Sequence, residues 1–359
     1  MSRLDIARRR LVSQHLTKPV FSHAHEVVHY LGAVQAQDYA GAKWALGQRL
    51  KGGTDAAIEQ AMTEGSILRT HVLRPTWHFV TPEDIRWMLV LTAPRVRAFM
   101  ASYDRKLELT DAVYRRSNAA LTRALQGGRH LTRLELRAEL ERASVRPTGT
   151  QRLAHLVARA ELDGLICSGP RRGKQFTYAL LDERVPPSKP LERDEALFEL
   201  TKRYFASRGP ATAHDFSWWS GLTIGDARKG IEMAKSWLER EVVGEKPCWF
   251  RPPAPSTRLT SPLAHLLPNY DEYFIGFKDR SAIGETMKAA GRVASRVALA
   301  VHIMFIDGQI VGGWKRIIRK DSVVIESNMV TDLTPDEDRA VAKAVKKYSA
   351  FLGVPVGLT

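Results

Sequence analysis

The chain has 359 residues, 44% of them hydrophobic, with 54 Lys plus Arg against 39 Asp plus Glu and a formal net charge of +15. That length allows two or three domains with sizeable cores, and the basic excess points to a polyanionic partner. Cys167 and Cys248 lie far apart and outside any CxxC pair, which excludes a disulfide framework and a thiolate metal site. No apolar secretory core opens the sequence, and the longest apolar run, 298–306, is interrupted by His302 and too short to span a bilayer. A cytoplasmic protein with no membrane partner is expected.

In chain order, the first informative helix has Val27, Val28 and Leu31 on its inner face and leads into Val34-Gln35-Ala36-Gln37-Asp38. His23 and His25 precede it, and their i, i+2 spacing puts them on opposite sides of a helix rather than on a zinc-binding face. Thr54 opens a helix carrying Ala57, Ile58, Ala61 and Met62, followed by strands over 67–72 and 76–80 around Leu73-Arg74-Pro75. Thr132-Arg-Leu-Glu135 is a capping box, starting a helix that runs to about residue 143. After the Pro147-Thr-Gly149 turn, Leu153, Leu156, Val157 and Ala160 mark a second helix, and strands over 165–167 and 176–180 flank a basic turn.

Helix, turn, helix and basic hairpin form the pattern of a winged helix, and the pattern recurs near residues 50 and 220. Thr212 starts one helix of the third repeat, Thr223-Ile-Gly-Asp226 caps another, and a strand begins at 241. Val185-Pro-Pro-Ser-Lys-Pro190 reads as a linker and 251–256 as a second break. Beyond it come strands over 297–306, 309–318 and 323–327, with Asp307-Gly308 as a tight turn, and a last helix starting at Thr334-Pro335. The fold class predicted is α+β, with tandem winged-helix (helix-turn-helix) units and a β-rich C-terminal region. The boundaries are 1–110, 111–184, 191–250 and, for the β-rich region with its final helix, 257–359.

The positive charge is uneven: residues 1–180 hold 28 basic and 16 acidic side chains, and residues 181–359 hold 26 and 23. Within the basic half, Arg171, Arg172 and Lys174 sit on the predicted wing and Arg152, His155 and Arg159 on the outer helix face, the placement that neutralises phosphates and seats a helix in a groove. Arg74 between its two strands and the Lys315-Arg316 stretch are further DNA-contact candidates, and the Asp307-Gly308 turn is a second candidate for a groove-probing hairpin. The segment Gly169-Pro-Arg-Arg-Gly173-Lys174-Gln175 has three residues between its glycines where a phosphate loop needs four, and no Gly-x-Gly-x-x-Gly occurs. No metal or organic cofactor is expected. Gln35 and Gln37 share a side if the chain is extended there, so the preceding helix must end near Val34 for them to act together. On physical grounds alone, paired glutamines at a helix end are more simply caps or surface groups.

Three segments together change that balance: Val34-Gln35-Ala36-Gln37, Leu73-Arg74-Pro75-Thr76-Trp77-His78-Phe79-Val80 and Leu266-Leu267-Pro268-Asn269-Tyr270-Asp271-Glu272-Tyr273. In this order they resemble the AlkZ/YcaQ family of winged-helix DNA glycosylases over nearly the whole chain. The resemblance implies a C-shaped array of three winged helices cradling double-stranded DNA, and excision of N-alkylated purines with interstrand crosslinks among the substrates of some members. The family's glutamine–aliphatic–glutamine motif falls on Gln35 and Gln37; since the YcaQ branch has Asp at the second position, the chain looks like the AlkZ branch. An amide neither takes nor gives a proton at neutral pH, so the glutamines would orient water and stabilise an oxocarbenium-like sugar. Forgoing a general base forfeits roughly 10²- to 10⁴-fold, tolerable when an alkylated purine already leaves as a cation. Asp38 and His78 are auxiliary candidates, Asp38 more simply as a helix cap and His78 facing a DNA channel while Trp77 and Phe79 fill core. Asp271 and Glu272 are expected to be structural, with Arg280 or wing backbone as partners. A monomer acting on alkylated duplex is expected; the competing reading is a non-enzymatic winged-helix DNA-binding protein or transcription regulator.

Overall fold

The computed structural model describes residues 2–253, 260–291 and 302–359. Its architecture is α+β, and the chain divides into two compact units, one of Met1–Ile58, Phe198–Trp219 and Thr223–Thr359, the other of Glu59–Leu197 and Ser220–Leu222.

In the second unit, Thr132 caps the Arg133–Arg142 helix through the expected box, its hydroxyl accepting the Glu135 amide. The Gly149–Leu162 helix follows and turns Leu153, Leu156, Val157 and Ala160 into a core shared with Leu121, Leu125, Leu136 and Leu140. Strands Ile166–Ser168 and Thr177–Leu180 pair antiparallel, and Leu131–Thr132 adds to the outer side of the second. The Leu68–His71 and Trp77–Val80 strands form another antiparallel hairpin. The 25-residue Pro82–Lys106 helix carries Pro at its first position, where the missing amide is harmless, and buries Ala93, Val96 and Met100 against Ala158 and Leu162.

In the first unit, a five-stranded sheet runs in the order Val356–Leu358, Val323–Met329, Gln309–Ile318, His302–Ile306, Ala264–Leu267. The expected strand over 297–306 is described from His302 onward; its first five residues lie outside the described residues, as do the last three of the 251–256 break. Asp307 and Gly308 both have positive φ, as a two-residue hairpin turn matching the sheet twist requires. This turn is tied inward: Asp307 accepts from the Ser261 hydroxyl and the Leu263 amide, and the Gly308 carbonyl accepts from the Tyr273 hydroxyl. The Glu239–Val243 and Lys246–Phe250 hairpin extends the strand foreseen at 241. Thr212 and Thr223 cap the Ala213–Ser220 and Ile224–Met233 helices, and Thr334 caps Pro335–Leu352.

Candidate functional site

The helix Ala24–Leu31 ends at Gly32, whose φ of 77° lets the chain turn out of the helix, and Val34-Gln35 continues extended. Gln35 is buried and Gln37 exposed. Ala36 is fully buried, so the small middle residue of the motif fills core and a larger aliphatic there would need more room.

The extended segment is anchored from beneath. The Gln35 N–H donates to Glu272 Oε1 at 3.0 Å. The other oxygen of that carboxylate accepts from Arg208 Nη2 at 2.7 Å and Trp219 Nε1 at 2.8 Å. Arg208 also donates to the carbonyls of Leu31 and Ala33, and its guanidinium lies 4.3 Å from the Trp219 ring centroid. Arg208, Trp219 and Glu272 are all fully buried. A buried carboxylate is tolerable when a cation and further donors share it, and here the same pair fixes the backbone on both sides of the turn that presents Gln35.

A parallel arrangement uses Asp271. It makes two hydrogen bonds of 2.9 Å to Arg49, which also donates to the Gln14 carbonyl and to the carbonyl of Ala45. Asp271 caps the short Glu272–Ile275 helix through the Tyr273 amide. The two acids therefore have Arg49 and Arg208 as partners, not Arg280, which donates to the Phe274 carbonyl and packs over the Phe274 ring.

Asp38 caps the Tyr39–Gly47 helix, accepting the Gly41 amide at 3.1 Å. Its carboxylate also lies 3.6 Å from Arg316, which donates to the Tyr348 hydroxyl. His302 belongs to the same charged cluster. Burial, and then the Arg316 charge, bring its pKa down to about 4, against an opposing pull from Asp38. Its Nδ1 accepts the Asn269 amide at 3.2 Å, so the neutral ring carries its hydrogen on Nε2 and can offer only a donor from there. Nothing in the sequence singled out His302, Arg208 or Trp219, since each sits in an ordinary strand or helix pattern.

Other sequence-level candidates are placed as follows. His78 is fully buried, with Nδ1 on the Thr76 carbonyl, so it does not face an open channel; Phe79 is core as expected, and Trp77 is half-buried. His23 and His25 are exposed, and their rings stack at 5.7 Å rather than diverging, because His23 is the extended N-cap residue outside the helix. Arg152 donates to the carbonyls of Arg146 and Leu107, His155 pairs with Asp104, and Arg159 with Asp163. Arg171 pairs with Glu59, and Arg172 with Glu135, whose carboxyl the Thr132 amide and then Arg172 hold down at about 2. Arg74 is half-buried; Lys174 and Lys315 are exposed. Among the described residues no group of three His, Cys, Asp or Glu could hold a metal ion, and no helix is long and apolar enough to cross a membrane.

The AlkZ-like DNA glycosylase family matches residues 28–351. The chain belongs to this family. It is 26% identical to a Streptomyces sahachiroi protein described as an interstrand DNA cross-link repair glycosylase, over 98% of this chain and 95% of that one. Its fold matches the Streptomyces sahachiroi DNA glycosylase AlkZ with a TM-score of 0.80 at 22% identity, covering both chains completely. Membership makes this AlkZ-like chain a DNA glycosylase, an enzyme whose substrate is DNA, and the family match includes Gln35, Gln37, Asp38, Glu272 and His302.

Proposed function

We propose that this AlkZ-like glycosylase hydrolyses the N-glycosidic bond of cationic N-alkylated purines in duplex DNA, with Gln35 and Gln37 as its catalytic residues and interstrand crosslinks within its substrate range. The observation that carries the reading is the short Val34-Gln35 strand after the Gly32 turn, with the Gln35 amide fixed by Glu272 and Gln37 two residues on, in a bend open to solvent. The family resemblance supplies the roles: the amide oxygens orient water and stabilise the positive charge growing on the sugar.

The surroundings suit that chemistry. His302 has its Nδ1 lone pair taken by the Asn269 amide and offers only an N–H on its other side, and Asp38 is spent on the Gly41 cap and Arg316. A site short of a general base suits a leaving group that departs without protonation, as N7- or N3-alkylpurines do. It disfavours neutral uracil or 8-oxoguanine.

For binding, three winged-helix units over 1–110, 111–184 and 191–250, followed by the β-rich region over 257–359, would present Arg74, Arg152, His155, Arg159, Arg171, Arg172, Lys174, Lys315 and Arg316 to the phosphates of a single duplex, the protein acting as a monomer. Most of these cations have intramolecular partners, so DNA phosphates must compete for them, whereas Lys174 and Lys315 are exposed. The deciding experiment is release of base from duplex carrying N7-methylguanine, at equal occupancy of wild type and Gln37→Ala. Release that falls at least about tenfold in the variant supports the reading. Firm binding with no release by wild type overturns N7-methylguanine as a substrate and points to a bulkier lesion.

A further inference from the structure

The second unit holds a cavity of about 310 Å³ lined by His71, Trp77, Phe99, Tyr103, His155 and Tyr178, among others. Its volume is at the lower end of ligand pockets, ~300–1,000 Å³. Phe99 is 68% exposed and Tyr103 54% exposed, one turn apart on the Pro82–Lys106 helix. Their neighbour Met100 is buried in the adjoining core, so the exposure is local to this face. Two large aromatic side chains left in water at i, i+4 spacing form an apolar platform.

The cavity floor is polar and fixed. His71 is buried, its Nδ1 engaged by the Glu161 carboxylate, itself buried on the Gly149–Leu162 helix, and its ring packs 4.5 Å from that of Trp77. With Nδ1 committed, Nε2 is the ring nitrogen left for a ligand. A second cavity of about 350 Å³ shares Trp77, Arg133 and Tyr178 with the first and adds Arg69 and Lys174. Aromatic faces beside cations are what a single-stranded nucleic acid uses, bases stacking while phosphates meet the charge.

We propose that this paired groove binds an unpaired DNA base, stacked among Trp77, Phe99 and Tyr103 and hydrogen-bonded by His71, with the flanking phosphates on Arg133 and Lys174. None of these residues is Gln35 or Gln37. The inference takes from the glycosylase reading that the ligand is DNA, and it does not require base release. It gives the protein a means of preferring helix positions where pairing is already broken, where unstacking costs least.

The test uses the full-length protein and two duplexes of one sequence, fully paired or carrying a single bulged 2-aminopurine. Wild type is expected to bind the bulged duplex more tightly and to quench its fluorescence as the base stacks. Phe99→Ala combined with Tyr103→Ala, both exposed sites whose loss leaves the core intact, should cut affinity for the bulged duplex at least about fivefold and leave paired-duplex affinity unchanged. His71→Gln should weaken the bulge preference with quenching retained. Equal wild-type affinity for the two duplexes with unquenched 2-aminopurine overturns the proposal, as does a double variant that keeps the full preference. N7-methylguanine release on the same preparations reads the glycosylase function separately, so either reading can fail without the other.

Discussion

Glu272 accepts the Gln35 amide on one oxygen and Arg208 and Trp219 on the other, and all three side chains are out of water. Glu272→Ala would leave the Arg208 guanidinium buried without its counter-charge, a change that typically destabilises by about 3–5 kcal/mol. Glu272→Gln keeps the shape and one acceptor, so it should fold with a smaller loss yet loosen the segment carrying the glutamines. The expected signature in Glu272→Gln is base release reduced at saturating DNA with affinity little changed; unchanged release in a folded variant would detach Glu272 from the site. Gly41 is a second sensitive position. A Cβ there would stand 2.5 Å from Asp38 Oδ2 and 3.0 Å from Pro268 Cβ. Gly41→Ala should therefore displace the Asp38 cap and lower stability by about 1 kcal/mol, as cap loss usually does, checked by denaturant midpoint. The glutamine pair stands out in the sequence through the resemblance, which falls on one short motif, whereas local spacing alone reads the pair as caps or surface groups. Its supports do not stand out: Arg208 and Trp219 reach Glu272 across 64 and 53 residues, and no local pattern encodes such partners.

Caps and turns carried most of the correct sequence reading at the level of elements. Thr132 with Glu135, Thr223 with Asp226 and Thr334 with Glu337 each satisfy helix amides within three residues, so their signal is local. The Val356–Leu358 strand has no sequence signal, because three residues with mostly exposed side chains show no periodicity, and it is recruited by pairing parallel to Val323–Met329. The turn between the Ile166–Ser168 and Thr177–Leu180 strands was foreseen as a basic wing, and there the ion pairs decide what each cation is worth. Arg171 and Arg172 already have carboxylate partners, while Lys174 is exposed. Lys174→Ala should consequently weaken DNA binding with little regard to sequence and reduce the salt slope of log K by about 1. Arg172→Ala should change that slope less, since Glu135 already neutralises Arg172 in the wild type. A salt titration of both variants is the measurement, and an unaltered slope in Lys174→Ala would remove that residue from the interface.

Among the described residues of the first unit, burial lowers the pKa of His15, His265 and His302, and for the last two the shift is large. His265 donates Nε2–H to the Leu16 carbonyl, and burial brings its pKa down to about 4, the same value reached by His302. In the unfolded chain both titrate near ~6.5. As pH falls through that value the unfolded state takes up protons first, so stability is fully present above it and is lost progressively toward about pH 4, with no further loss from these groups below that. Between pH 7 and pH 5 each histidine should contribute a loss of about 1–2 kcal/mol. Carboxylates held low, such as Glu135 at about 2, keep their charge across that interval and add their own loss only in more acid solution. The denaturant midpoint should therefore fall between pH 7 and pH 5 in wild type and fall less in His302→Gln, whose amide cannot titrate. If the two proteins lose stability equally over that interval, His302 is not the proton-excluded group its surroundings make it, and its place as a neutral N–H donor beside Asp38 and Arg316 fails with it.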